Sequence, residues 1–116
     1  QCLMDVEPRD VEYYETQHGR VSCREWIDSL RDHRTRAKIW ARIDRVRLGN
    51  LGHCGSVGSG VMELKIDYGP GYRVYFGQVE SKLIILLCGG DKSTQQNDIP
   101  VAHSYWADYR RRYGQE

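Results

Sequence analysis

Residues 61–78 read Val61-Met62-Glu63-Leu64-Lys65-Ile66-Asp67, then Tyr68-Gly69-Pro70-Gly71, then Tyr72-Arg73-Val74-Tyr75-Phe76-Gly77-Gln78. Two runs rich in β-formers flank a Gly-Pro-Gly reversal whose residues supply the dihedrals of a tight turn, so the segment is expected to fold back as a β-hairpin. Side chains alternate across a strand. Met62, Leu64 and Ile66 therefore share one face with Val74 and Phe76, while Glu63, Lys65, Arg73 and Tyr75 share the other.

The neighbouring segments are read from this hairpin outward. Leu83 to Cys88 is apolar without alternation, as expected of a central strand covered on both faces. Gly89-Gly90-Asp91-Lys92-Ser93 reads as a loop, after which Asp98 caps and Pro100 opens a last helix. Ile99, Ala102, Trp106, Tyr109 and Tyr113 give that helix an apolar stripe, and Arg110-Arg111-Arg112 end it favourably against its dipole. Upstream, residues 49–60 hold five glycines and read as a flexible loop. Before them lies an αα-hairpin. Ser22 and Glu25 match a capping box for the first helix, Asp32-His33 makes the break, and Ile39, Trp40, Ile43 and Val46 mark the inner face of the second, which stops at Gly49. Arg36, Lys38, Arg42 and Arg45 are expected mostly outside that face. Val11 to Thr16 reads as a short first strand.

A chain of 116 residues with eight Tyr, three Trp and 40% hydrophobic content fits one globular domain and argues against disorder. Gln1 to Leu3 precede Met4 and read as an expression remnant, with 4–116 as the domain. No apolar run approaches the roughly 20 residues of a membrane helix, and the start shows no signal-peptide pattern, so a cytoplasmic location without membrane contact is expected. Cys2, Cys23, Cys54 and Cys88 are too widely spaced for a zinc site and read as reduced thiols. Net charge is +1, but residues 1–19 carry −4 and residues 20–48 carry +5. A stretch of that kind attracts phosphates, although a solvated helix face is its commoner explanation.

Lys65 and Arg73 on neighbouring strands, with Lys92 leaving the next one, could bring three cations together. Such a cluster suits an anionic oxygen substrate, and phosphodiester cleavage gains from cations placed where charge accumulates. Taken on spacing alone, Glu63 forming ordinary surface pairs with Lys65 and Arg73 explains the same residues. Gly58-Ser59-Gly60 completes neither a nucleotide-binding fingerprint nor a nucleophile elbow. Of the four histidines, His53 in the loop before the hairpin is the candidate acid or base.

Three segments carry a resemblance. They are Arg42-Ile43-Asp44-Arg45-Val46-Arg47-Leu48-Gly49-Asn50-Leu51-Gly52, the hairpin from Gly60 through Glu63-Leu64-Lys65-Ile66-Asp67-Tyr68-Gly69-Pro70-Gly71-Tyr72-Arg73-Val74-Tyr75-Phe76, and Leu87-Cys88-Gly89-Gly90-Asp91-Lys92-Ser93-Thr94-Gln95. Together they resemble the phage-derived addiction-module killer proteins, the HigB-like branch of the RelE/ParE toxin superfamily. The likeness runs from Trp26 to Tyr109 in order. It implies an α+β fold with a short N-terminal strand, an αα-hairpin packed on a curved antiparallel sheet, and a C-terminal helix. It further implies the toxin of a type II toxin–antitoxin system, an endoribonuclease (mRNA interferase) cleaving mRNA in the ribosomal A site to a 2′,3′-cyclic phosphate, without metal or cofactor.

Carried over by position, Arg73, Lys92 and Lys65 would be the catalytic cations. Glu63, Tyr75, His53, Arg42 and Arg45 complete the expected RNA-contacting set. The branch usually has Arg where this chain has Lys65, which keeps the charge without the planar fork. Relatives often carry a Tyr or His after the last cation as a base, and 93–101 offers neither. Arg73 is expected to be exposed, so that its removal would cost under about 0.5 kcal/mol of stability. The implied partners are mRNA, the ribosome and a cognate antitoxin, a small helix-turn-helix protein. Two other functions remain open: a ParE-like inhibitor of DNA gyrase, and a plain nucleic-acid-binding module.

Overall fold

The computed structural model describes residues 8–114, so the expected remnant at Gln1 to Leu3 lies outside the described residues. The elements are β1 (Asp10–Tyr13), α1 (Ser22–Ser29), α2 (His33–Arg47), β2 (Cys54–Ser56), β3 (Val61–Ile66), β4 (Tyr72–Val79), β5 (Leu83–Asp91), a 3-10 turn (Lys92–Thr94) and α3 (Gln95–Tyr113). They form an α+β fold around a five-stranded sheet of order β1-β5-β4-β3-β2. Of the described helices, none is long and apolar enough to cross a membrane.

The hairpin forms as expected, Lys65 opposite Arg73 and Ile66 opposite Tyr72, with the turn closed by the Gly71 amide donating to the Tyr68 carbonyl at 3.0 Å. The sheet is mixed where an antiparallel one was expected, because β1 runs parallel to β5, Val11 beside Ile84. α1 and α2 intervene in sequence between β1 and its partner's hairpin, and a connection of that length permits a parallel pairing. The stretch expected as loop contributes β2, an edge strand paired with β3.

One sheet face carries Leu64, Ile66, Val74, Phe76, Ile84 and Leu86 against Cys23, Ile27, Ile39, Ile43 and Val46 of the helical pair. The other carries Val61, Tyr75, Ile85, Leu87 and Cys88 against Ala102 and Trp106 of α3. The layers are thus helix pair, sheet and helix, and β5, flanked by β1 and β4, is covered on both faces as its missing alternation implied.

Two helix starts and the end of β5 differ from expectation. α1 begins one residue early: the Glu25 amide bonds the Val21 carbonyl, the cap has no side-chain hydrogen bond, and Glu25 pairs instead with Arg20 at 2.8 Å. Asp32 does cap α2, accepting from the Arg34 amide at 3.1 Å. At the other end β5 continues through Gly89, Gly90 and Asp91, and it is Asp91, not Asp98, that caps the following turn by accepting from the Ser93 amide at 2.8 Å. α3 therefore starts before Pro100, which lies inside it. Gly114, at φ +70°, ends α3 and returns its amide to Arg110. Near that end the Tyr14 hydroxyl donates to Asp108 at 2.6 Å, and Arg112 pairs with the same carboxylate at 2.9 Å.

The indole of Trp106 lies directly on the backbone of Gly77, leaving no room for a Cβ. Gly77→Ala should lower unfolding free energy by about 1–3 kcal/mol through overpacking, read as a lower urea midpoint with unchanged slope. A midpoint equal to the parent's would mean that α3 sits off the sheet.

Candidate active site

Lys65 and Arg73 are placed by strand register: they face each other across β3 and β4 and project from the α3 side of the sheet. Lys92 reaches the same place from β5, whose register sets Tyr72 beside Asp91 and Arg73 beside Gly90. The Lys92 amide then donates to the Gly71 carbonyl at 2.8 Å, tying the 3-10 turn to the hairpin's reversal. The cations from β3, β4 and the β5 exit therefore meet in one cleft of about 420 Å³, which is also lined by His53, Asp67 and Pro70.

Their exposures differ. Lys92 is exposed and has no carboxylate partner among the described residues. Lys65 keeps a third of its side-chain surface, but only 14% of the Arg73 side chain is accessible. Beneath them lies Glu63, 5% exposed, with Arg73 Nε at 3.3 Å, Lys65 Nζ at 3.9 Å and the Gln95 amide donating at 2.7 Å. Gln95 arrives there because Gly90 lacks a Cβ: the Asp98 carboxylate and Thr94 hydroxyl occupy that space and seat the first turn of α3 on the sheet.

This arrangement corrects three expectations. Glu63 and Tyr75 do not stand on an outer face, since the start of α3 covers that part of the sheet; Tyr75 is fully buried, and burial, reinforced by the charge of Glu63, pushes its phenol pKa well up. Neither is open to the solvent. Arg42 does not point outward either: it is 6% exposed, and its guanidinium donates to the carbonyls of Leu51 at 2.5 Å, His53 at 3.2 Å and Lys65 at 3.2 Å. It clasps the loop against β3, with burial holding its pKa below the ordinary value. Arg45 remains exposed and lines a second cleft of about 380 Å³ with Lys38 and Tyr68, next to the first. His53, Lys65, Ile66 and Asp67 belong to both clefts.

Four residues of this region were not singled out in the sequence. Asp67 and Tyr68 stand at the hairpin turn, Lys38 is hidden among the other bases of α2, and Gln95 falls where a loop was expected. Only the partial regularity of bases on α2 could have pointed to Lys38; nothing in the sequence marks Gln95.

Comparison with known proteins adds a family. The model for "Phage derived protein Gp49-like (DUF891)" matches residues 25–111, a span that takes in every cation of the cleft. The chain belongs to the Gp49-like family. This is a RelE/ParE-like toxin family. The chain is also 53% identical over 77 residues to a Haemophilus influenzae protein described as uncharacterized, a match covering 66% of this chain and 78% of that protein. Among the Gp49-like features, β1 lies outside the matched span, whereas both strands of the basic hairpin lie inside it.

Because Arg73 neutralises a buried carboxylate, Arg73→Ala should cost about 1–3 kcal/mol, not the small change expected of an exposed position. Glu63→Gln removes the charge that Arg73 compensates. The double variant should then lose less than the sum of the singles by about 1 kcal/mol in a denaturation cycle. Strict additivity would mean that the two side chains do not sense each other.

Proposed function

We propose that this Gp49-like protein is a toxin of a type II toxin–antitoxin system, close to the HigB-like branch, that acts as a metal-independent endoribonuclease on mRNA in the ribosomal A site. The observation that supports this most is the convergence of Lys65, Arg73 and Lys92 with His53 in one open cleft. Surface ion pairing explains Lys65 and Arg73 but leaves Lys92 without a carboxylate, held by its backbone at the rim of the same cleft. A phosphate supplies the missing negative charge.

In the reaction, the ribose 2′-hydroxyl attacks the adjacent phosphorus, the bond to the 5′-oxygen breaks, and the products are a 2′,3′-cyclic phosphate and a 5′-hydroxyl. Charge accumulates on the non-bridging oxygens in the transition state. Arg73 and Lys92 neutralise it; the Arg73 guanidinium, held by its strand and by Glu63, needs little reorganisation to do so, and the Lys92 ammonium reaches in from a backbone fixed by its bond to Gly71. His53 is the imidazole that accepts the 2′-hydroxyl proton, and the Lys65 ammonium holds the backbone and supplies the proton of the leaving oxygen. A cognate antitoxin, a small helix-turn-helix protein, keeps the toxin silent in the cytoplasm.

Expression without the antitoxin should arrest growth of a bacterial host. Lys92→Ala is the variant of choice, because an exposed unpaired lysine can be removed for under about 0.5 kcal/mol of stability. It should lower the rate of mRNA cleavage on translating ribosomes, mapped by primer extension, by roughly 10²- to 10³-fold. Growth arrest without cleavage, together with inhibition of gyrase supercoiling, would replace this reading by a ParE-like one. Binding should also weaken steeply between low and moderate salt, and a flat response would take phosphate out of the site.

A further inference from the structure

We infer that the second cleft, between α2 and the hairpin turn, binds the nucleotide flanking the scissile phosphate, with its base stacked on Tyr68 and its phosphate held by Lys38 and Arg45, so that the protein takes RNA as an unpaired strand. The inference rests on the nuclease reading and adds the form of the substrate and the residues that grip it.

Continuity is the first support. The two clefts share His53, Lys65, Ile66 and Asp67, so a strand whose phosphate lies among Lys65, Arg73 and Lys92 passes into the second cleft without leaving the surface. The shared wall is rigid. Arg42 fixes the carbonyls of Leu51, His53 and Lys65 from inside, and the Lys65 amide bonds the His53 carbonyl at 3.1 Å.

Charge is the second. Lys38 and Arg45 are exposed and, among the described residues, neither is paired with a carboxylate, which leaves their charge to a ligand. The single acidic residue on the wall of either cleft is Asp67. A merely solvated helix face would scatter its bases around α2; these two line one depression together with the opposite turn.

The third is the platform. Tyr68 is half-buried against the helix-side core, and its backbone amide and carbonyl are bonded to Ile66 and Gly71 at 3.0 Å each. The ring packs on that core with the Lys38 ammonium over it, 5.3 Å from its centroid, so that a base stacking on this face takes the ammonium's place as Lys38 turns to the phosphate. An aromatic ring fixed beside cations is the arrangement that stacks unpaired bases, since every base has a π-face and a duplex offers none.

The test uses ribosomes programmed with an mRNA that carries, in the A-site codon, either its normal bases or an abasic residue next to the cleaved bond. Tyr68→Ala should raise KM for the normal mRNA roughly 10- to 100-fold while kcat at saturation stays close to the parent's, and Tyr68→Phe should restore KM. On the abasic mRNA the parent and Tyr68→Ala should have the same KM. Lys38→Glu with Arg45→Glu, both on the solvent side of α2, should raise KM on either mRNA and reduce its salt dependence. If Lys92→Ala abolishes cleavage but Tyr68→Ala keeps the parental KM, or is equally impaired with the abasic mRNA, the subsite is wrong and the nuclease stands. Should Tyr68→Ala fail to fold, the charge-reversed variant decides, and parental kinetics from it overturn the inference. A parent that cleaves nothing removes both.

Discussion

Glu63 is the charge on which the basic cleft is built. A carboxylate at 5% exposure is costly to ionise unless it is matched. Three elements converge to match it: β4 brings Arg73, β3 itself brings Lys65 two residues on, and α3 brings the amide of Gln95. The match orders the cations in turn. Arg73 Nε lies 3.3 Å from one Glu63 oxygen and Lys65 Nζ 3.9 Å from the other, so the two cations share one carboxylate. A buried anion thus fixes the geometry of two cations that would otherwise repel each other at adjacent register positions.

The same residues explain what the sequence could and could not disclose. The hairpin, its turn and its buried helix-side face were readable because Met62, Leu64, Ile66, Val74 and Phe76 obey a period of two. Period alone does not say whether the second face meets water. Glu63 and Tyr75 look solvated by type and are covered by α3, and the polar groups that permit this, Gln95 and Arg73, come from other elements. The unalternating Leu83 to Cys88 did announce a strand covered twice, but not that α3, the last element, supplies the second cover.

Arg42 is a different case, because the information was present. It lies three residues after Ile39, next to Ile43 and four before Val46, so the helix period places it on the inner stripe. Its charge argued for the outside. The structure satisfies both: the guanidinium is buried and donates to the Leu51 and His53 carbonyls of the glycine-rich stretch and to the Lys65 carbonyl of β3, joining the two. Gly89-Gly90 misled in the opposite direction. Glycines usually signal a loop, yet here Gly90 continues β5 because a Cβ would collide with Asp98 and Thr94. In both places a close approach between distant segments overrode a sound local rule.

These positions also bear on how a protein of net charge +1 would select a polyanion. Its field is weak at long range, and charges farther apart than about 8 Å are screened at physiological ionic strength. Selectivity then has to arise at contact distance, from cations whose positions are set before a ligand arrives. The backbone of Lys92 is set by its amide on Gly71, the Arg73 side chain by Glu63, and the wall between the two clefts by Arg42. None of these anchors consists of a loop folding around a ligand, so the surface is formed in the free protein. Control over a ready-made basic cleft then falls to the cognate antitoxin that the toxin family implies, a second molecule rather than a rearrangement of these anchors.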